Sequence, residues 1–158
     1  MIARVLTAVP IGFDGQAVTV ECDITKGLPA FVIVGLADKA VAESRERVRS
    51  AIVNSGLTFP AKRITINLAP ASIAKEGSHL DLPIAISILV CSGQLKQKDI
   101  DGIMVAGELS LDGELRQTRG AILIAEAAKK AGCRTIILPK QNAAQAALVD
   151  SIDVVGVT

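Results

Sequence analysis

The sequence predicts one α+β domain, and three observations carry that prediction. The first third alternates apolar and polar residues at the period of β-strands. Two later segments place apolar residues at helical spacing, and a third is apolar almost all round. Strands and helices then follow one another across all 158 residues with no linker, repeat or low-complexity run, so a single core is expected.

The elements follow in order. Ile2 to Pro10 and Gln16 to Ile24 flank the turn-forming Gly12-Phe13-Asp14-Gly15 and predict an antiparallel hairpin. Phe31 to Val34, between Gly27-Leu28-Pro29 and Gly35, reads as a short strand central to the sheet. Asp38 is placed to cap a helix running to about Ser55. Its apolar face is Ala37, Val41, Val48, Ala51 and Ile52, and Glu43, Arg45, Glu46, Arg47 and Arg49 point elsewhere. Ile64 to Leu68 is the next strand, followed by a loop of small and polar residues through Lys75-Glu76-Gly77-Ser78-His79. Asp81 then caps a second helix, with Pro83 tolerated in the first turn, and Leu82 to Cys91 should be buried on most sides.

Gly93 to Gly102 turns polar. Ile103 to Ala106 is a strand, and Asp112-Gly113 inside Leu109 to Leu115 suits a hairpin with a type I′ turn. A third helix spans about Gly120 to Ala131. Thr135 to Leu138 is a strand closed by Pro139, Asn142 to Leu148 a short helix, and Ile152 to Val155 a last strand.

Composition narrows the function. Half of the residues are hydrophobic but only three are aromatic, all Phe, so the core is built from Ile, Val, Leu and Ala. Seventeen basic against sixteen acidic residues leave +1, which excludes a whole-domain pull toward nucleic acid or membrane. Cys22, Cys91 and Cys133 are widely spaced without C-x-x-C and read as small buried hydrophobes in a reducing compartment. With a single histidine beside them, no metal site is expected. Met1 to Gly12 does not read as a signal peptide, and Leu82 to Cys91 falls short of the roughly 20 apolar residues of a membrane span. The expectation is a soluble, cytoplasmic domain with no membrane partner.

Two long stretches carry a resemblance. Val34-Gly35-Leu36-Ala37-Asp38-Lys39-Ala40-Val41, continuing through Glu43-Ser44-Arg45-Glu46-Arg47-Val48-Arg49, is one. Arg63-Ile64-Thr65-Ile66-Asn67-Leu68-Ala69-Pro70-Ala71, running on through Lys75-Glu76-Gly77-Ser78 to Asp81-Leu82-Pro83-Ile84-Ala85, is the other. Both resemble the opening of the magnesium-chelatase-like AAA+ ATPases of the ComM type, across essentially the whole chain. The resemblance implies a ribosomal-protein-S5-domain-2-like fold, shared with the Lon protease domain and the C-terminal domain of RadA. It also implies that residues 1–158 are one N-terminal Lon-protease-like domain of a longer protein. The sequence contains no G-x-x-x-x-G-K-[ST], so ATP and Mg would belong to an AAA+ module outside it, and no cofactor is expected within it.

Lon-type proteases activate a serine with a lysine. Their serine loop reads P-K-D-G-P-S-A-G, and here the matching loop is Ala74-Lys75-Glu76-Gly77-Ser78-His79-Leu80-Asp81. Aligned without gaps, the serine position falls on His79 and the lysine position on Ile122, so no catalytic residue is expected. Ser78, His79 and Asp81 are the right types for a triad, but neighbours in sequence rarely converge on one reacting atom. His79 is expected in ordinary loop hydrogen bonds or helix capping.

Two readings remain. In the first, implied by the resemblance, the domain is a non-catalytic part of a hexameric DNA motor that acts in natural transformation by branch migration. It would serve ring assembly through its own AAA+ module and neighbouring subunits, with single-stranded or branched DNA as a further partner. Phosphate contact needs only positioned cations, and Arg63, Lys75, Arg116 and Arg119 are the candidates. Lys62 stands beside Arg63, whereas the arginines between Glu43 and Arg49 read as a solvated, internally paired face. Three Phe without Tyr or Trp argue against stacking on bases. Gln141 to Val149, apolar and nearly uncharged, is a candidate subunit contact. The second reading is a serine hydrolase rearranged around Ser78, which needs a lysine other than position 122 to reach that hydroxyl.

Overall fold

A computed structural model describes residues 1–158. Strands β1 (Ile2–Ile11) and β2 (Asp14–Thr25) form a long hairpin whose register pairs Ile11 with Asp14. The turn is therefore Gly12-Phe13. Gly12 adopts φ +59° and Phe13 keeps a negative φ, the pattern of a type II′ turn that matches strand twist. Then come β3 (Ala30–Val34), α1 (Lys39–Asn54), β4 (Arg63–Ala69), a 3-10 turn (Ser78–Leu80) and α2 (Asp81–Cys91). The remainder is α3 (Gln97–Ile100), β5 (Ile103–Val105), β6 (Glu108–Leu109), β7 (Leu115–Arg116), α4 (Ala121–Lys130), β8 (Thr135–Pro139), α5 (Ala143–Ala146) and β9 (Asp153–Val157).

Seven strands form one mixed sheet in the order β3-β4-β2-β1-β5-β8-β9, parallel except at the β1–β2 and β2–β4 pairs. This mixed architecture is compatible with the α+β class expected from the sequence. The period-two alternation of the strands sorts the core into two clusters. Val5 and Val9 of β1, Val18 and Val20 of β2, and Ile64, Ile66 and Leu68 of β4 join α1 and α2 in one cluster. Ala8, Met104, Ile136 and Leu138 join α4 in the other. Glu21, Thr65 and Asn67 occupy the sheet face opposite α1 and α2, half-buried, and Asn67 Nδ2 donates to Glu21 Oε1 at 2.9 Å.

Two glycines are fixed by close approach. A Cβ on Gly15 would stand 2.1 Å from the carbonyl oxygen of Leu123, because α4 lies directly on the hairpin. A Cβ on Gly35 would stand 2.3 Å from the Leu68 carbonyl oxygen, at φ +111°.

Several expectations are corrected. β3 is an edge strand, not a central one, because its apolar residues pack inward against α1 while only β4 pairs with it. The Asp112-Gly113 hairpin closes with Ser110 N–H on Glu114 O and Gly113 N–H on Ser110 O. Gly113 alone has positive φ, so this is a three-residue loop with a glycine bulge rather than type I′. The polar 93–102 segment contains α3, and the Asn142–Leu148 helix contracts to α5 preceded by a 3-10 turn. Cys22 and Cys133 are buried, as read, and burial pushes both thiols up; Cys91 is half-buried with Sγ 3.3 Å from Cys22 O. No helix is long and apolar enough to cross a membrane.

Candidate functional site around Ser78

The loop between β4 and α2 is held by a lysine. Lys75 N–H bonds to Leu36 O, and Asp38 N–H bonds back to Lys75 O, so one residue of the loop lies beside Ala37 like a strand. The Lys75 side chain is fully buried, its Nζ donating to Gly35 O at 2.8 Å and to Pro70 O. Burial pushes its pKa down. This corrects the expectation of a solvated lysine facing phosphate: the ammonium is occupied by two carbonyls and has no exposed surface.

Ser78 opens the 3-10 turn that leads into α2. That turn is stitched to the β5–β6 connection, with Gly107 N–H on His79 O (2.8 Å) and Leu82 N–H on Gly107 O (2.9 Å). The stitch brings Glu108 to Ser78, whose Oγ donates to Glu108 Oε2 at 2.6 Å. His79 turns inward instead: its Nε2–H donates to Ala8 O at 2.8 Å. Burial pushes the imidazole pKa below its ordinary 6.5, partly offset by the Ala8 bond, so the neutral form is favoured.

Asp81 does not cap α2. Its carboxylate, fully buried, runs sideways to α1 and β6: Ser44 Oγ donates to Oδ1, Arg47 Nε to Oδ2 at 2.6 Å, and Leu109 N–H to Oδ2 at 3.1 Å. Leu80 occupies the cap position, with Asp81 N–H bonded to Ser78 O. Arg47 is thereby removed from the solvated face expected of it and also reaches Ala40 O at 2.9 Å. Burial pushes the Asp81 carboxyl up and the Arg47, Ser44 and Leu109 donors pull it back, while the same contact holds Arg47 charged. Asp38 does cap α1 as read, accepting from Val41 N–H at 2.8 Å.

A depression of about 320 Å³ results, lined by Ala40, Ser78, His79, Glu108, Gln117 and Arg119 among others. Its far wall is fixed by Asn142, which is buried and clamps Thr118 through N–H to Oδ1 (2.8 Å) and Nδ2 to O (2.9 Å). Arg116 is exposed opposite Glu108 on the β6–β7 ribbon, lining a neighbouring depression, and Arg119 is exposed at the rim. Arg63 stands at the opposite end of β4, roughly 20 Å of strand away. Ile122 sits on the outer side of α4, 39% exposed, beside Leu148 and Val149 rather than Ser78. The structure thus gathers Ser78, Arg116 and Arg119 on one side, buries Lys75, and separates Arg63.

Sequence reading missed Glu108, Ser44, Arg47 and Asn142. Ser44 carried a usable signal, since it shares the helical stripe of Val41 and Val48, and Arg47 stands three residues on from it at the edge of that stripe. Glu108 and Asn142 carried none, being brought in by tertiary packing.

The family model described as subunit ChlI of Mg-chelatase matches residues 20–142. The chain is 49% identical to the Escherichia coli protein YifB over 144 residues, covering 91% of this chain and 28% of that protein. It is 45% identical to competence protein ComM of Haemophilus influenzae over 148 residues, 94% of this chain and 29% of that one. A more distant likeness, 29% identity over 141 residues, links 84% of it to 16% of a Lon protease from Chloroflexus aurantiacus. The chain spans about three-tenths of the length of YifB and ComM. A match over most of its residues makes this chain a member of the family of subunit ChlI of Mg-chelatase.

Proposed function

We propose that this chain is a non-catalytic module of a ComM-type AAA+ ATPase, one that supports ring assembly and offers cations to DNA without reading its sequence. The observation that carries the reading is the state of Ser78. The one hydrogen bond of its hydroxyl is to the Glu108 carboxylate, while the Lys75 ammonium is turned to Gly35 and Pro70 and the His79 ring to Ala8. A Lon-type site needs an amine within reach of the serine hydroxyl to take its proton, and here the Lys75 ammonium is held at Gly35 O and Pro70 O instead.

The fold proposed is that of ribosomal protein S5 domain 2, in keeping with the distant likeness to Lon protease. The parent protein would hydrolyse ATP with Mg in an AAA+ module beyond these residues, assemble as a cytoplasmic hexamer and migrate DNA branches during natural transformation. Arg116 and Arg119 are the cations best placed for phosphate. Such contact is weak per domain and gains from repetition around a ring.

The experiment is anisotropy binding of single-stranded and branched DNA across a salt series, with Arg116→Ala/Arg119→Ala and Arg63→Ala alongside, plus labelling with a fluorophosphonate. Salt-sensitive binding weakened by the double variant, with Ser78 unlabelled, supports the reading. Absence of binding at low salt removes DNA contact and leaves assembly. Stoichiometric labelling of Ser78 favours the hydrolase instead, for which the Ser78–Glu108 contact is the one structural argument.

A further inference from the structure

β3 ends the sheet on one side, paired in parallel with β4 and with no strand on its other edge. Ala30 N–H reaches Lys62 O, which sets the phase of the ladder: Ala30, Val32 and Val34 turn their backbone groups to β4, and Phe31 and Ile33 turn theirs outward. No loop or side chain bonds to those outward groups. Unprotected edges of this kind are templates for another strand.

The flank of this edge is not neutral. Two shallow depressions run along it and meet at Phe31 and Arg49, one reaching Lys39, Arg45 and Glu46, the other Val53, Phe59 and Lys62. The chain has three ion pairs, and none involves Lys39, Arg45, Arg49 or Lys62. Arg49 is held over the Phe59 ring at 5.6 Å, and Phe59 packs on Phe31 with ring centroids 5.6 Å apart. Against these four cations stand Glu46 and Glu43, the latter already 3.8 Å from Arg47.

We propose that the free edge of β3 docks an extended acidic peptide segment, which adds as a strand beside Phe31 and Ile33. Its carboxylates meet Lys39, Arg45, Arg49 and Lys62, and an apolar side chain rests on the Phe31–Phe59 pair. Strand addition supplies main-chain bonds for affinity and alternate side-chain pockets for specificity. Nucleic acid is the poorer fit, because the outward carbonyls of Phe31 and Ile33 would face phosphate. The inference is independent of the DNA reading, which concerns the Ser78 side.

The probe is an acetylated, amidated octapeptide with glutamate at positions 1, 3 and 7, valine at position 5 and threonine at the even positions, so that acidic and apolar side chains share one face of the strand; it is titrated into the chain by amide NMR. Its counterpart with lysine for glutamate and a version N-methylated on alternate residues are run in parallel. Shifts and slowed exchange at the Phe31 and Ile33 amides are expected, with no binding by the lysine or N-methylated peptides. The exposed pair Lys39→Glu/Arg45→Glu, checked for folding by circular dichroism, should weaken binding at least tenfold. Unmoved Phe31 and Ile33 amides at millimolar probe overturn the proposal. So does binding indifferent to N-methylation, or an oligonucleotide that shifts these amides where the peptide does not.

Discussion

Arg47 and Asp81 lie 34 residues apart and meet fork to fork, Nε to Oδ2 at 2.6 Å and Nη2 to Oδ1 at 3.1 Å. The pair joins α1 to the first residue of α2, and Leu109 N–H extends it to the β6–β7 ribbon. It therefore sets where the 3-10 turn bearing Ser78 and His79 sits against Glu108.

Asp81→Ala leaves a guanidinium that is only 20% exposed without its acid, and orphans Ser44 and Leu109 N–H. Breaking such a pair costs about 3 kcal/mol, the lower end for a buried pair, since Arg47 can still reach water. Chemical denaturation should read that loss. Arg47→Met/Asp81→Leu should be less destabilised than Asp81→Ala alone, because both charges leave together. A double variant worse than the single would contradict this account.

Lys75→Met keeps the stem and removes the ammonium, so Gly35 O and Pro70 O lose their donor. A loss of about 2 kcal/mol is expected from two charge-assisted bonds partly replaced by water. The measurement that separates this from a surface role is DNA affinity at equal folded fraction, which should not change.

These two residues also mark how far the sequence could be read. Period-two and helical patterns placed β1, β2, β4, α1, α2, α4 and β8 near their observed bounds, because each buries one face and that face is written locally. Asp38 was legible as a cap for the same reason: donor and acceptor lie three residues apart. The role of Asp81 was not, since it stands at a plausible cap position yet its partners come from α1 and β6. Lys75 in a polar loop looks solvated until the loop is seen folded over the Gly35 corner. β3 misled because an apolar run does not say how many neighbours pair with it.

Acid should loosen the Ser78 turn through His79. Burial lowers the folded-state pKa below 6.5, so between that value and 6.5 the unfolded chain binds more protons and stability rises with pH. The contribution is whole above 6.5 and is lost as pH falls toward the folded value. His79→Gln, whose Nε2 can still donate to Ala8 O, should flatten the stability profile across that window. An imidazole NMR titration with a midpoint above 6.5 would reverse the sign and defeat the prediction.

Gly15→Ala tests how α4 is seated. The glycine is half-buried at the start of β2, and any Cβ there would meet Leu123 O at 2.1 Å and Leu123 C at 2.9 Å. Both are backbone atoms of the helix, so no rotamer change relieves the clash and α4 itself must shift away from the hairpin. Overpacking against a fixed element costs about 1–3 kcal/mol, and backbone displacement puts this case near 3. Gly12→Ala, inside the turn with open space around it, meets only the backbone penalty of its φ of +59°, about 1–2 kcal/mol. Thermal unfolding of the two variants side by side should rank them in that order. Equal losses would mean that α4 rides on the hairpin more loosely than the Gly15–Leu123 contact requires.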